Sequence, residues 1–445
     1  MGTISSIGNV LLPSGSNTVD VQALLNAALA SYQQPLTVVQ LQQTNLQNQT
    51  TALQGIQSDV TALASAVKSL SDSSGGISAL SATSSNSAVL TASADSTALA
   101  ETHSVTVNAL ATTSSYYTNA VASSSATIAT GSFTIAVGTN APVAVTVDNT
   151  NNTLDGLAAS INGQNIGVSA SVVNDANGAR LAIVSKTTGA PGDVMIANNT
   201  TGLTFNKAVT GSNASVVVDG VPINSTTNTI SGVIPGVTLN VNSASGTTVN
   251  INVAPDTQQA TSAINQFVAA WNKSIQDLTA QFAVGPDGSG AQPLESDGTV
   301  RDVQQQLLSA ITYSVGGNNG FVNLASIGVN LNNDGTLSVD SSTLSNALSS
   351  HFGNVQALLQ GTAGVATYMS TVLNQITDPT QGTIALDLQG MNQTSQDLAN
   401  QISDMQATLQ SQQQFLTQQY SQVQVALQEL PLIQSQITQQ LGSLK

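Results

Sequence analysis

Residues 384–445 read IALDLQGMNQTSQDLANQISDMQATLQSQQQFLTQQYSQVQVALQELPLIQSQITQQLGSLK, and this stretch decides the fold. An apolar residue returns at every seventh position: Ile402, Leu409, Leu416, Val423, Leu430, Ile437 and Leu444. A less regular row runs beside it, through Met391, Leu398 and Met405 and then Tyr420, Leu427 and Leu441. Two apolar rows at heptad spacing describe a helix whose seam faces other helices. Pro431 removes a backbone donor, so a kink or a restart is expected there. Eighteen of the 62 residues are Gln and five are charged. A solvated coiled coil carries Glu and Lys on its flanks. An uncharged outer face suggests that protein covers it too; a Gln-rich helix packed on its own domain is the plainer alternative.

The other end of the chain repeats the pattern. Asp20 is placed to cap a helix whose stripe is Val21, Leu24, Leu25, Ala28, Leu29 and Tyr32. Pro35 is expected to start a second helix, where its missing N–H costs nothing. That helix carries the heptad Val39, Leu46, Leu53, Val60 and Val67, with Ile56, Leu63 and Leu70 at alternate positions and Gln42 and Gln49 near its start. Asp72 to Gly76 ends it, after roughly 55 Å. Both ends are thus long, Gln-rich heptad helices, and everything between must return the chain so that they can pair.

From Ile77 to Val253 the pattern changes to period-two alternation in Val, Thr, Ser, Asn and Gly. Phe133, Ile135 and Val137, then Val143, Val145 and Val147, predict a hairpin around Gly138 to Pro142. Leu154, Leu157, Ala158 and Ile161 predict a short helix. Turns are expected at Asn177-Gly178 and Asp219-Gly220. Helices resume at Asp256, with Ile264, Phe267, Val268, Trp271, Ile275, Leu278 and Phe282 on one face. A Gly/Pro-rich loop follows at Gly285 to Gln292. Val300 to Ile311 mark another helix, Leu344 to Leu359 a third, and Val365 to Ile376 a fourth. The fold class is multidomain α+β: terminal heptad helices and a helical bundle formed by both chain ends, with two β-rich domains inserted in the middle. The expected division is 1–34, an N-terminal axial segment paired with 401–445; 35–76 plus 254–400, the bundle; 77–132 plus 206–253, a β-rich head domain; 133–205, a β-rich domain inserted in it; and 401–445, the C-terminal heptad helix.

Composition narrows the function. Charged residues make up 7% of the 445, against about 25% in an ordinary globular protein. Seven Lys and Arg face 23 Asp and Glu, a net charge of −16. Nucleic acid is excluded as a partner, because phosphate neutralisation needs clustered cations. Cysteine is absent, so thiol chemistry and disulfides are excluded. No apolar run reaches the ~18 residues of a membrane span. No Lys or Arg precedes Lys68, so the positive start of a secretory signal is missing, and export without a cleaved signal is expected.

Few residues invite catalysis. His103 precedes a predicted strand and His351 sits within a predicted helix, and neither has an acid and a nucleophile nearby; structural roles are expected. Asn330-x-Asn332-x-Asp334-Gly335 echoes a calcium loop, but positions one and twelve are Asn330 and Ser341 where Asp and a bidentate Glu are needed. A tight turn into Thr336–Val339 accounts for the Gly equally well. Neither a catalytic residue nor a cofactor or metal site is expected. The residues singled out are the helical seam itself: Val39, Leu46, Leu53, Val60 and Val67 with Ile402, Leu409, Leu416, Val423, Leu430, Ile437 and Leu444.

Three segments carry a family resemblance. Val19-Asp20-Val21-Gln22-Ala23-Leu24-Leu25 leads through Gln34-Pro35-Leu36 into the first heptad helix. Val218-Asp219-Gly220-Val221 is followed by Asn228-Thr229-Ile230, Ile234-Pro235-Gly236-Val237-Thr238-Leu239 and Phe267-Val268-Ala269-Ala270-Trp271-Asn272. Asp334-Gly335-Thr336-Leu337-Ser338-Val339-Asp340 precedes Leu344, Ala347 and Leu348. In this order they resemble the flagellar filament cap family (flagellar hook-associated protein 2, FliD). The chain departs from it in two places: Tyr32-Gln33 stands where the family has a Glu, and Trp271 where it has Tyr. Residues 133–187 also resemble a small module of flagellins and cap proteins. The resemblance implies a non-catalytic ring of four to six subunits at the filament tip, outside the cell, holding newly exported flagellin while it folds and inserts. It further implies flagellar type III export, an export chaperone and a hook–filament junction protein as partners. Two alternatives stand beside it: another axial protein (junction protein or flagellin-like), and a surface adhesin whose Ser/Thr/Asn-rich β domains bind glycans.

Overall fold

The computed structural model describes residues 21–283 and 292–442, apart from some side chains at the outer ends of the terminal helices. The cap at Asp20, most of the loop at 285–292, and Leu444 lie outside the described residues. The chain divides into two compact units. One draws on the chain up to Lys68, on Asn265–Ser341 and on everything from Gly361; it is mainly helical. The other, Ser69–Ile264 with Ser342–Gln360, holds the large sheets.

The first helix, α1, runs unbroken over Val21–Ser71 with Pro35 inside it, where two helices had been expected. The proline deprives the Ser31 carbonyl of its donor four residues on. Ser31 and Pro35 are both exposed, so water can take that carbonyl and the helix need not stop.

The strands follow in pairs. They are β1 (Leu80–Ser84), β2 (Leu90–Ala94), β3 (Thr102–Ala109), β4 (Thr113–Thr118), β5 (Gly131–Val137) and β6 (Val143–Val147). Helix α2 (Leu154–Gly163) intervenes, capped by Thr153, whose hydroxyl accepts from Gly156 N–H at 3.1 Å. Then come β7 (Val168–Asp175), β8 (Gly178–Thr188), β9 (Val194–Ala197), β10 (Phe205–Val209), β11 (Ala214–Val218), β12 (Val221–Ser225), β13 (Thr229–Ile234), β14 (Val237–Val241) and β15 (Thr248–Pro255). Every pairing is antiparallel. Sheets β1-β15-β3-β11-β12 and β13-β14-β2 close on one core of Val105, Val107, Val216, Leu239 and Ile251. Sheets β10-β4-β8-β7 and β6-β5-β9 close, with α2, on a second core of Phe133, Ile135, Leu154, Leu157, Ile161 and Leu181. Period-two burial along β5 and β8 follows from the side-chain alternation of a strand with one wet face. At Gly178 a Cβ would lie 2.2 Å from the Val121 carbonyl oxygen, and φ is +124°, so only Gly serves.

The remaining elements are α3 (Thr257–Ala280), α4 (Gly298–Ile311), β16 (Val329–Leu331), β17 (Leu337–Val339), α5 (Ser341–Ser350), α6 (Phe352–Gln360), α7 (Val365–Thr377) and α8 (Thr383–Gly442). The single helix expected over Leu344–Leu359 is two, and His351 stands at the break instead of mid-helix. Its carbonyl accepts from Asn354 and Val355 N–H and so starts α6. Ser349-Ser350 and Gly353 are weak helix formers, yet the apolar spacing continues across them, so pattern alone could not reveal the stop. Helix α8, by contrast, passes through Pro431 without ending.

In the helical unit, α3 is locked to the β16–β17 hairpin by two adjacent side chains. Trp271 Nε1–H donates to the Gly335 carbonyl at 2.9 Å. The Asn272 amide donates to the Leu337 carbonyl at 2.9 Å and accepts from Leu337 N–H at 2.6 Å, acting as a strand partner for β17. Two quoted motifs, Trp271-Asn272 and Asp334 to Leu337, are therefore one structural joint. The calcium-like loop is committed to its own turn. Asp334 Oδ1 accepts from the N–H and hydroxyl of Thr336 at 3.0 and 2.6 Å, and Gly335 has φ +82°. Among the described residues no group of His, Asp or Glu could hold a metal ion.

Candidate assembly surface

The seam residues of α1 are buried from Val39 onward. Leu53, Val60 and Val67 are fully enclosed, and Leu46 is half-buried. Ile56, Leu63 and Leu70 are buried beside them. On α8 from Met391 onward the half-buried residues among the described side chains are Met391, Ser395, Leu398, Ile402, Met405, Leu409, Gln412, Leu416 and Tyr420. Their four-three spacing is that of a helix leaning one face on a neighbour.

That neighbour is α1, running antiparallel. Thr50 Oγ1 lies 3.7 Å from the Met391 sulfur. Gln57, two turns further along α1, shares a shallow cavity with Ala385, Leu388 and Gln389, which precede Met391 on α8. Twenty-nine residues separate Thr50 from Val21, the first described residue of α1. The same count from Met391 reaches Tyr420, the last half-buried residue among the described side chains of α8. Beyond it Val423 is 48% exposed and Ile437 51%. The side chain of Leu430 lies outside the described residues. The C-terminal seam is therefore half-covered from Ile402 to Leu416 and open at Val423 and Ile437.

The sequence reading missed a second set of apolar residues off the heptad rows. Val38 and Leu41 on α1 and Phe415, Val425, Leu432 and Ile433 on α8 are all exposed, as is Tyr32 of the expected N-terminal stripe. The signal was the apolar surplus itself, since a two-stranded pair needs only its a and d positions. Exposed apolar side chains that gather into a patch mark an interaction surface. Charge does little to oppose contact here: over residues 21–71, α1 carries only Asp59 and Lys68, and the described part of α8 carries four acids and no base.

Two carboxyls of the paired helices sit beside α3 and α4. Asp59 on α1 faces Lys273 at 3.4 Å, and Lys273 also pairs with Asp277 on α3. Partial burial and the hydrogen-bonded Asp277 push the Asp59 carboxyl above its usual range, against the pull of Lys273. Asp387, near the start of α8, is also pushed up by burial, with Thr299 opposing and Asp297 reinforcing the effect.

His103 lies on β3 itself, not before it, and is 8% exposed. Its Nδ1 sits 2.8 Å from Asp219 Oδ2, while Asp219 Oδ1 accepts from Ser104 N–H at 2.7 Å. The imidazole thereby ties the β11–β12 turn to β3. No helix among the described residues is long and apolar enough to cross a membrane.

A family model described as flagellar hook-associated protein 2 N-terminus matches residues 17–114, and one described as flagellar hook-associated protein 2 C-terminus matches 211–431. The B-type flagellar hook-associated protein 2 of Pseudomonas aeruginosa PAO1 is 29% identical over 399 residues, covering 82% of this chain and 84% of that one. The flagellar hook-associated protein 2 of Escherichia coli K12 is 28% identical over 328 residues, covering 68% and 70%. The crystal structure of the D1-D2-D3 domains of the flagellar cap protein FliD from Escherichia coli superposes with a TM-score of 0.57 at 27% identity, covering 77% of this chain and 99% of that one.

Proposed function

From its membership of the flagellar hook-associated protein 2 family, we propose that this chain is a structural cap at the distal tip of a bacterial flagellar filament. It works outside the cell, promotes the folding and insertion of flagellin, and catalyses no reaction. The family match at both ends and the shared α+β architecture support this reading over a junction protein, a flagellin or a glycan-binding adhesin.

The cap works as a homo-oligomeric ring of four to six copies. Residues 1–34 pair with 401–445 as an axial segment, and the β-rich domains 77–132 plus 206–253 and 133–205 form the head. The observation that carries self-association is the exposure of Val423, Val425, Leu432, Ile433 and Ile437 on α8, together with Val38, Leu41 and Phe415. Flagellin, the hook–filament junction protein and an export chaperone are the expected partners, and the route out is flagellar type III export.

Leu409→Glu with Leu416→Glu tests the seam. Both positions are half-buried, and no base on the described part of α8 can neutralise the new charges. The β core lies elsewhere, so the double variant should keep its β circular dichroism. It should lose the oligomer in light scattering and leave flagellin in the medium. Rings and filament growth that survive both charges would remove the seam from the mechanism.

A further inference from the structure

The sequence contains three Asn-Gly steps: Asn162-Gly163, Asn177-Gly178 and Asn319-Gly320. Such a step can modify itself. The following backbone nitrogen attacks the Asn side-chain carbon, helped by the absence of a Cβ on Gly. A new N–Cγ bond forms, the Cγ–Nδ2 bond breaks, and ammonia leaves with the proton that the backbone nitrogen gives up. Water then opens the cyclic imide at one carbonyl or the other, giving aspartate or isoaspartate. Water is the only co-reactant.

The structure makes the three steps unequal. The Asn162 amide is tied at both ends: it donates to the Ala170 carbonyl at 2.7 Å and accepts from Ala170 N–H at 2.8 Å. The Asn177 step sits at an exposed hairpin tip, but Asp175 accepts from Asn177 N–H at 2.7 Å and also from Gly178 N–H. The attacking nitrogen there is engaged, and Gly178 is held in register opposite Asp175. Asn319 is exposed, and among the described residues neither its amide nor Gly320 N–H makes a hydrogen bond. It has φ +49° and Gly320 φ +88°, with Phe321 N–H donating to the Asn318 carbonyl at 2.8 Å. These are the angles of a type I′ turn. No atom lies within 4 Å of where a Gly320 Cβ would stand, so the turn can open without displacing a neighbour.

We propose that Asn319 is a self-modification site, converting to aspartate and isoaspartate ahead of the other two steps. The product adds a negative charge to the loop between α4 and β16. Isoaspartate also adds a backbone carbon that a two-residue turn cannot absorb. The change falls near Tyr313, whose ring stacks on Tyr368 with centroids 4.3 Å apart. An enzyme that methylates isoaspartyl carboxylates is the class of partner that would recognise the product.

The test holds the full chain at mildly alkaline pH and follows all three steps by peptide mapping. The Asn319 peptide should convert about tenfold or more faster than the other two, because each of those must first break hydrogen bonds. Hydroxylamine, which cleaves the cyclic imide, should cut the chain first between Asn319 and Gly320. Asn319→Gly keeps the positive φ, and should abolish that cut while leaving circular dichroism unchanged. Conversion of Asn177 or Asn162 at an equal or higher rate would overturn the proposal. So would an unmodified Asn319 under conditions in which a synthetic peptide of residues 315–324 converts.

Discussion

The helical unit and the β unit hold themselves together in different ways, and their carboxylates show it most clearly. In the β unit the acids serve turns and pairs as charged acceptors. Asp95 and Asp148 each take the hydroxyl and N–H of the Thr two residues on, and both are held below the usual carboxylate range. Asp219 is held low by His103 and then by Ser104 N–H. Burial pushes Asp193 up, but Lys207 and Gly211 N–H outweigh it. The helical unit has such acids too, in Asp277, Asp334 and Asp378. It also has two, Asp59 and Asp387, that its apolar packing pushes the other way. A sheet protein with many turns needs acceptors where its ladders end. A helical bundle satisfies its own backbone and gains nothing from a carboxylate in its core.

Core truncations should separate the units most strongly. Trp271, the only Trp, reports on the helical unit alone, while β circular dichroism reports on the other. Leu53→Ala should lower the stability seen by Trp271 fluorescence by about 2–5 kcal/mol and leave the β signal in place. Leu181→Ala should do the reverse. If both probes shift together in each variant, the units unfold as one block and the comparison fails.

A smaller effect is expected from the amide joints, which both units use. Asn272 pairs with the backbone of Leu337, and Asn228 pairs in the same way with Ala111 in the β unit. Asn272→Ala and Asn228→Ala should each cost about 1–3 kcal/mol, because partly buried backbone groups lose their partner. Each loss should register on its own unit's probe in denaturant titration. An Asn→Ala change without effect would show that water replaces the amide.

Acid sharpens the contrast further. A carboxylate held low in the folded state stabilises the fold above its unfolded pKa, and that stability is lost as pH falls through the folded pKa. A carboxyl pushed up contributes most below the unfolded pKa, about 3.9 for Asp, and loses that contribution as pH rises through its folded pKa. Denaturation midpoints measured from neutral pH down through the carboxylate range should therefore fall more for the β signal than for Trp271. Equal slopes would contradict the assignment. The smallest change is Asp59→Asn, which removes a partly desolvated charge while Asp277 keeps Lys273. It should shift neutral-pH stability by less than about 1 kcal/mol and steepen the acid-side fall of the Trp271 signal, because the opposing contribution of Asp59 is gone.

The sequence alone specified the large features, because they rest on repetition. Heptad rows gave α1 and α8, alternation gave the strands around Phe133 and Leu181, and Asp-Gly and Asn-Gly gave their turns, since each pattern averages over many residues. One proline misled the reading, at Pro35, where a second helix was expected to start. A proline's cost depends on whether its stranded carbonyl meets water, which is a property of position in the fold. The break at His351 was hidden because apolar spacing ran straight across it. Asn272, Asn228 and His103 looked ordinary, since their partners lie 65, 117 and 116 residues away. The seam was legible as a row of residues, but its extent was not. Leu416 is half-buried and Val423, one heptad on, is 48% exposed; which turns of α8 are covered depends on what packs beside them, and no local pattern in α8 encodes that.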